Sequence, residues 1–110
     1  MDTTKAKTVL EERSGCIACA MEVIGSKWTA LILRDLAYGE KGFCELEKSV
    51  GQINPRTLSK RLDDLEANGI INKKQHEDGH PFYSLSKKGT DLLPVLKQMA
   101  AWGTKYYPTS

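Results

Sequence analysis

The run INPRTLSKRLDDLEANG, residues 53–69, constrains this chain more than any other stretch, because it specifies both ends and one face of a helix. Asn54 can accept from the free N–H groups at a helix start. Pro55 suits the first helical position, where its fixed backbone angle fits and its missing N–H would have had no partner. Gly69 can take the left-handed conformation that closes a helix. Leu58, Leu62 and Leu65 share one face, which must pack against other apolar elements. At about 100° per residue, Arg56 and Lys60 fall nearly opposite that stripe. Thr57 and Ser59 lie on its flanks, and Arg61 sits nearer the buried side. Asp63 and Asp64 come later, so the front of the helix presents Arg, Thr, Ser and Lys side chains to solvent.

The flanking sequence supplies the partners. Ile17, Ala20, Met21 and Ile24 recur at helical spacing up to Gly25. Ser26 can cap a second helix carrying Trp28, Leu31, Ile32 and Leu36, which Gly39 stops. Phe43, Leu46 and Val50 mark a short third helix. After Gly69, the runs IINKKQH and PFYSL flank EDGH, whose Asp-Gly is a hairpin-turn signal. Ser86 can then cap a final helix with Leu92, Leu93, Leu96, Met99 and Ala100, followed by Trp102. That stripe is too broad for the end of so small a domain and calls for a partner beyond its own core. Residues 1–13 read as a flexible or partly helical arm, and residues 14–110 as a single domain.

Composition narrows the function classes. A chain of 110 residues with 40% hydrophobic and 27% charged residues has the balance of a globular domain, not of a disordered one. No apolar run is long enough to span a membrane, and the first residues lack the apolar centre of a secretion signal, so a cytoplasmic protein without a membrane partner is expected. In that compartment three cysteines are not a disulfide framework. Net charge is only +2. Its distribution is more telling: Arg56, Lys60, Arg61, Lys73 and Lys74 surround the acidic Asp63, Asp64 and Glu66. No paired carboxylates, nucleophile–base set or phosphate-cradling glycine loop appears, so there are no catalytic candidates and an enzyme is not expected.

Cys16 and Cys19 leave two readings open. On a helix they share a face with Cα atoms roughly 5 Å apart, within disulfide range. Near a helix start and with Arg13 close in sequence, Cys16 could ionise readily and sense oxidants, with Cys19 beside it. Alternatively Cys19 is a small core residue and Cys16 sits at an interface. A zinc site would need Cys44, His76 and His80 to converge from separate elements, so neither metal nor cofactor is expected. Trp28, Tyr83 and Trp102 read as core or interface aromatics.

The expected architecture is mainly α with a small β-hairpin. A short helix, a tight link and a polar-faced helix make a helix-turn-helix, and the hairpin after it makes a winged one. A helix fits the DNA major groove, and its N-terminal N–H groups suit phosphate. Double-stranded DNA is therefore the expected partner, with Arg56, Thr57, Ser59, Lys60 and Arg61 at the groove and Lys73 and Lys74 on the backbone. The alternative is a winged-helix module that binds protein without DNA.

Together, Gly25-x-Lys27-Trp28, Phe43-x-Glu45-Leu46, Arg56-x-Leu58-Ser59-x-Arg61-Leu62-x-x-Leu65-Glu66, Tyr83-Ser84-Leu85-Ser86-x-x-Gly89 and Trp102-Gly103 resemble the HxlR-type winged helix-turn-helix transcriptional regulators. The resemblance runs from about Ala20 to Gly103. It implies a homodimer with N- and C-terminal dimerisation helices, and entry of the Arg56–Ser59 helix into the major groove. It also implies an oxidant or electrophile response through a cysteine near the N-terminus. Repression by occlusion of polymerase is the expected output. The chain departs from the family pattern at Ile17, where many relatives have proline after the cysteine, at Gly42, commonly basic, and in a wing with one proline in place of a pair.

Overall fold

The structure, a computed structural model, describes residues 14–108. The expected arm at residues 1–13 lies outside the described residues. Helix α1 (Ser14–Ile24) leads into α2 (Lys27–Leu36), a two-residue strand β1 (Lys41–Gly42) and α3 (Phe43–Val50). Helix α4 (Pro55–Ala67) follows, then β2 (Ile71–Gln75) and β3 (Pro81–Leu85). A single-turn helix α5 (Lys87–Thr90) and the C-terminal α6 (Leu93–Tyr106) complete the order. No helix among the described residues is long and apolar enough to cross a membrane.

The core forms where apolar faces of α2, α3 and α4 meet the sheet. Ile32, Leu33, Leu46 and Leu58 have no exposed surface, and Leu62, Ile70 and Ile71 almost none. Each buried side chain of this size contributes roughly 1.5–3 kcal/mol relative to exposure. One polar contact is built into this packing. Asp35, on α2 and buried, accepts from the Ser49 hydroxyl of α3 at 2.8 Å and from Arg34 Nε at 3.0 Å. Burial of that carboxylate is tolerable because both oxygens are engaged.

Helix α4 follows the sequence expectation closely. The Asn54 side chain accepts from the Arg56 N–H at 2.8 Å, Pro55 opens the helix, and Gly69 closes it at φ 72°. The Ile70 N–H then reaches back to the Leu65 carbonyl at 2.9 Å. Ser26 takes the N-cap position of α2 with extended backbone, but its side chain makes no capping bond.

Two elements differ from expectation. The hairpin gains a third strand, giving an antiparallel sheet in the order β1-β3-β2 with Lys41 opposite Tyr83 and Gly42 opposite Phe82. A two-residue strand carries no periodicity, so it was not legible. The final helix is also split. Ser86 does cap, accepting from the Gly89 N–H at 3.1 Å, but it caps only α5. Its hydroxyl also lies 2.6 Å and 2.9 Å from the Gly69 and Ile70 carbonyls, tying the end of the sheet to the end of α4. Gly89 packs so tightly there that a Cβ would sit 2.2 Å from the Ile70 carbonyl oxygen.

Gly89→Ala should therefore cost on the order of 1–3 kcal/mol, because the neighbour is backbone and cannot swing aside. Thermal melting checks this, and an unchanged midpoint would refute the contact. Tyr83 supplies a pH test. Burial, followed by the negative charges of Asp63 and Glu66, holds its phenol above the ordinary 10.0. The folded state thus retains this proton more tightly than the unfolded chain. Its contribution is complete below about pH 10 and is lost as pH rises through the higher folded value. Melting temperature should fall less steeply above pH 10 in Tyr83→Phe than in the parent, and parallel declines would contradict the assignment.

Candidate nucleic-acid interface

The buried leucine stripe of α4 decides what its other side displays. Leu58, Leu62 and Leu65 are 0%, 1% and 3% exposed, so the helix cannot rotate without pulling them into water. Arg56, Ser59 and Lys60 consequently face solvent, and Thr57 is half-buried at the flank. The chain enters α4 from α3 through Gly51 and Gln52, both at positive φ (89° and 23°), and then through the buried Ile53. The N-terminal half of α4, its Asn54 cap and the end of α3 thereby form a helix-turn-helix.

The basic residues are not equivalent. Arg56 makes no ion pair with the described residues, whereas Lys60 lies 3.5 Å from Asp64 one turn on. Both partners of that pair are at least half-exposed, so the bond is weak and can be exchanged. Arg61 is half-buried, and its Nε is enclosed with no hydrogen-bond partner among the described residues. Its half-buried position agrees with the expected place near the buried flank.

Lys73 and Lys74 are both exposed on β2, an edge strand of the sheet. The pleat sends them to opposite faces. Lys73 stands opposite Tyr83, on the face whose tyrosine feels Asp63 and Glu66 of α4. Lys74 stands opposite Phe82, on the other face. Adjacency in sequence therefore does not make them one patch.

The hairpin tip is fastened through His76 and His80. His76 Nε2 lies 2.6 Å from Glu40 Oε1, and its ring lies against Phe82 with centroids 3.9 Å apart and the planes tilted by 47°. The His80 N–H donates to Asp78 Oδ1 at 2.9 Å, and that bond is the main cause holding the Asp78 carboxyl below its ordinary 3.8. No set of three potential metal ligands converges among the described residues.

Of the cysteines, Cys19 is exposed on α1, which removes the reading of it as a core residue. Cys16 lies in the first turn of the same helix, and its side chain is outside the described set. Cys44 is exposed near the start of α3. Trp28 packs half-buried against the core and Tyr83 is buried, whereas Trp102 is 59% exposed.

Comparison with known proteins agrees with this arrangement. Residues 23–110 match the HxlR-like helix-turn-helix family. A helix-turn-helix-type transcriptional regulator of Halalkalibacterium halodurans is 38% identical over 88 residues, covering 77% of this chain and 78% of that protein. The reduced form of the transcriptional regulator YodB from Bacillus subtilis superposes with a TM-score of 0.74 at 30% identity, over 84% of this chain and 94% of the other. The redox regulator HypR in its oxidized form gives 0.78 at 29% identity, over 84% and 98%. These relatives are named as regulators, and the two solved ones share the fold of this chain. On its fold, its helix-turn-helix and its match over residues 23–110, the chain belongs to the HxlR-like helix-turn-helix family of transcriptional regulators.

Proposed function

We propose that the chain is a homodimeric repressor that reads an inverted-repeat operator in duplex DNA through α4. The observation that carries this reading is the outward face of α4, where Arg56, Thr57, Ser59 and Lys60 surround the N-terminal half of a helix locked by three buried leucines. Arg56 and Lys60 reach base edges or phosphates, and Thr57 and Ser59 hydrogen-bond beside them. Arg61 braces the domain and presents its guanidinium to a phosphate. Lys73 and Lys74 position the wing on the backbone from either side of the strand.

Dimerisation is supported by what α1 and α6 leave uncovered. Ile17, Met21, Val95 and Trp102 are 44–59% exposed, and no residue of α6 is buried. The Trp102 ring lies 5.3 Å and 5.8 Å from those of Tyr106 and Tyr107, forming an aromatic cluster at the helix end. Apolar surface on this scale marks an interaction site, and a second copy covers it in this reading. Two α4 helices related by a twofold axis then meet successive major-groove half-sites about 34 Å apart. Occlusion of polymerase follows from occupancy, and a cytoplasmic location from the partner. We also assign an oxidant response to Cys16 with Cys19 as its neighbour, supported by the likeness to a redox regulator.

Arg56→Ala should weaken binding to self-selected genomic fragments by about 1–3 kcal/mol and relax preference at one position. Lys73→Ala should weaken all sequences alike and shallow the salt dependence. Full affinity in both variants would leave α4 and the wing without the proposed role. Trp102→Glu should shift the chain from dimer to its 12.2 kDa monomer in sedimentation, and a parent that already runs as a monomer would refute the dimer. Mild thiol oxidation should change DNA affinity in the parent and not in Cys16→Ser.

A further inference from the structure

Helix α6 has two apolar faces with different surroundings. Leu93, Leu96, Lys97 and Ala100 turn toward α2, whereas Val95, Trp102 and Tyr106 lie roughly 150° further round the axis, with Met99 lining the groove from the edge of that second face. The second face is the one assigned above to a second copy. The first closes, with Ala30, Leu31 and Arg34 of α2, a groove of about 620 Å³. That is within the ~300–1,000 Å³ typical of small-molecule sites.

The lining is mostly apolar, and its charged members are both cationic. No carboxylate lines the groove among the described residues. Arg34 is engaged through Nε by Asp35, and its terminal amino groups have no acceptor among the described residues, so they can fork onto another. Lys97 forms no ion pair with any described residue. An apolar slot with two cations and no acid is complementary to one class of ligand. A neutral hydrocarbon would leave the cations unused, and a polyanion would not fill the slot.

We propose that this groove binds an amphipathic organic monoacid, its carboxylate met by Arg34 and Lys97 and its apolar body lying between α2 and α6. The site has a physical connection to the helix-turn-helix. Asp35, the partner of Arg34, is the same buried carboxylate that accepts from Ser49 of α3. A ligand that recruits Arg34 alters the charge balance at that joint and thereby the pose of α3 and α4. This last consequence rests on the DNA-binding reading, and the site itself does not.

Calorimetric titration of the full chain with octanoate and 4-phenylbutyrate, each against its matching alcohol, tests the proposal. The acids should saturate at one per chain and bind at least about tenfold more tightly than the alcohols. Lys97→Gln should lose about that factor for the acids and leave the alcohols unchanged. Ala100→Trp, which fills the slot, should abolish both while keeping the parent's circular dichroism. Equal binding of acid and alcohol, no binding of either, or an unaltered Lys97→Gln each overturns the site. So does an Ala100→Trp variant that becomes monomeric in sedimentation, because the groove would then belong to a second copy. Affinity for selected DNA is read in the same samples. Acid binding without DNA binding refutes the regulator and not the site, and DNA binding without acid binding does the reverse.

Discussion

The structure depends on the burial of α2 on several sides at once. Ile32 and Leu33 are adjacent in sequence, so they point about 100° apart, yet neither has any exposed surface. A helix whose neighbouring residues are both enclosed needs apolar partners in more than one direction. Here α1, α3, α4, α6 and the sheet all lean on it. The pose of α4 is inherited from this arrangement, since its leucine stripe can be satisfied only against what α2 and the sheet offer. The side that bears Arg56 and Lys60 is then the side left over. Display of the polar face is thus a consequence of core packing and needs no separate device.

A second constraint joins the wing to the same core. Ser86 bonds back to the carbonyls that end α4, Gly89 lies against the Ile70 carbonyl, and Tyr83 turns toward Asp63 and Glu66. The hairpin is therefore held at both its base and its face relative to α4. A wing placed this way keeps Lys73 and Lys74 at a fixed offset from the helix. The price of that rigidity is a residue, Gly89, with no room for a side chain.

The C-terminal helix follows a different logic. None of its residues is buried, although the sequence places a broad apolar stripe there. Part of the stripe closes over α2 as one wall of a groove, and part points away with the aromatic cluster of Trp102, Tyr106 and Tyr107. A helix divided in this manner can serve two partners, one on each face. The buried carboxylate of Asp35 bonds both Arg34 at the groove and Ser49 of α3.

Local chemistry was legible wherever one residue type settles one conformation. Asn54, Pro55 and Gly69 bounded α4 correctly because caps act through bonds to residues at most a few positions away, and the Leu58-Leu62-Leu65 spacing named its buried side. The Asp-Gly turn announced the hairpin for the same reason. Relations between distant segments were not legible. The strand at Lys41–Gly42 exists because β3 offers a free edge, not because two residues prefer it. The break between α5 and α6, by contrast, lies just ahead of Pro94, which has no N–H to return to the Thr90 carbonyl, and is a local signal. Cys19 is exposed, Lys60 is paired to Asp64, and Lys73 and Lys74 face apart, each for reasons set by burial and pleat. The sequence by itself determined the elements, their caps and the polar front of α4, since these rest on near-neighbour hydrogen bonds and helical periodicity. Only the tertiary structure decided which exposed groups share a surface and where α6 leaves a groove, because those depend on how apolar faces far apart in the chain compete for the same core.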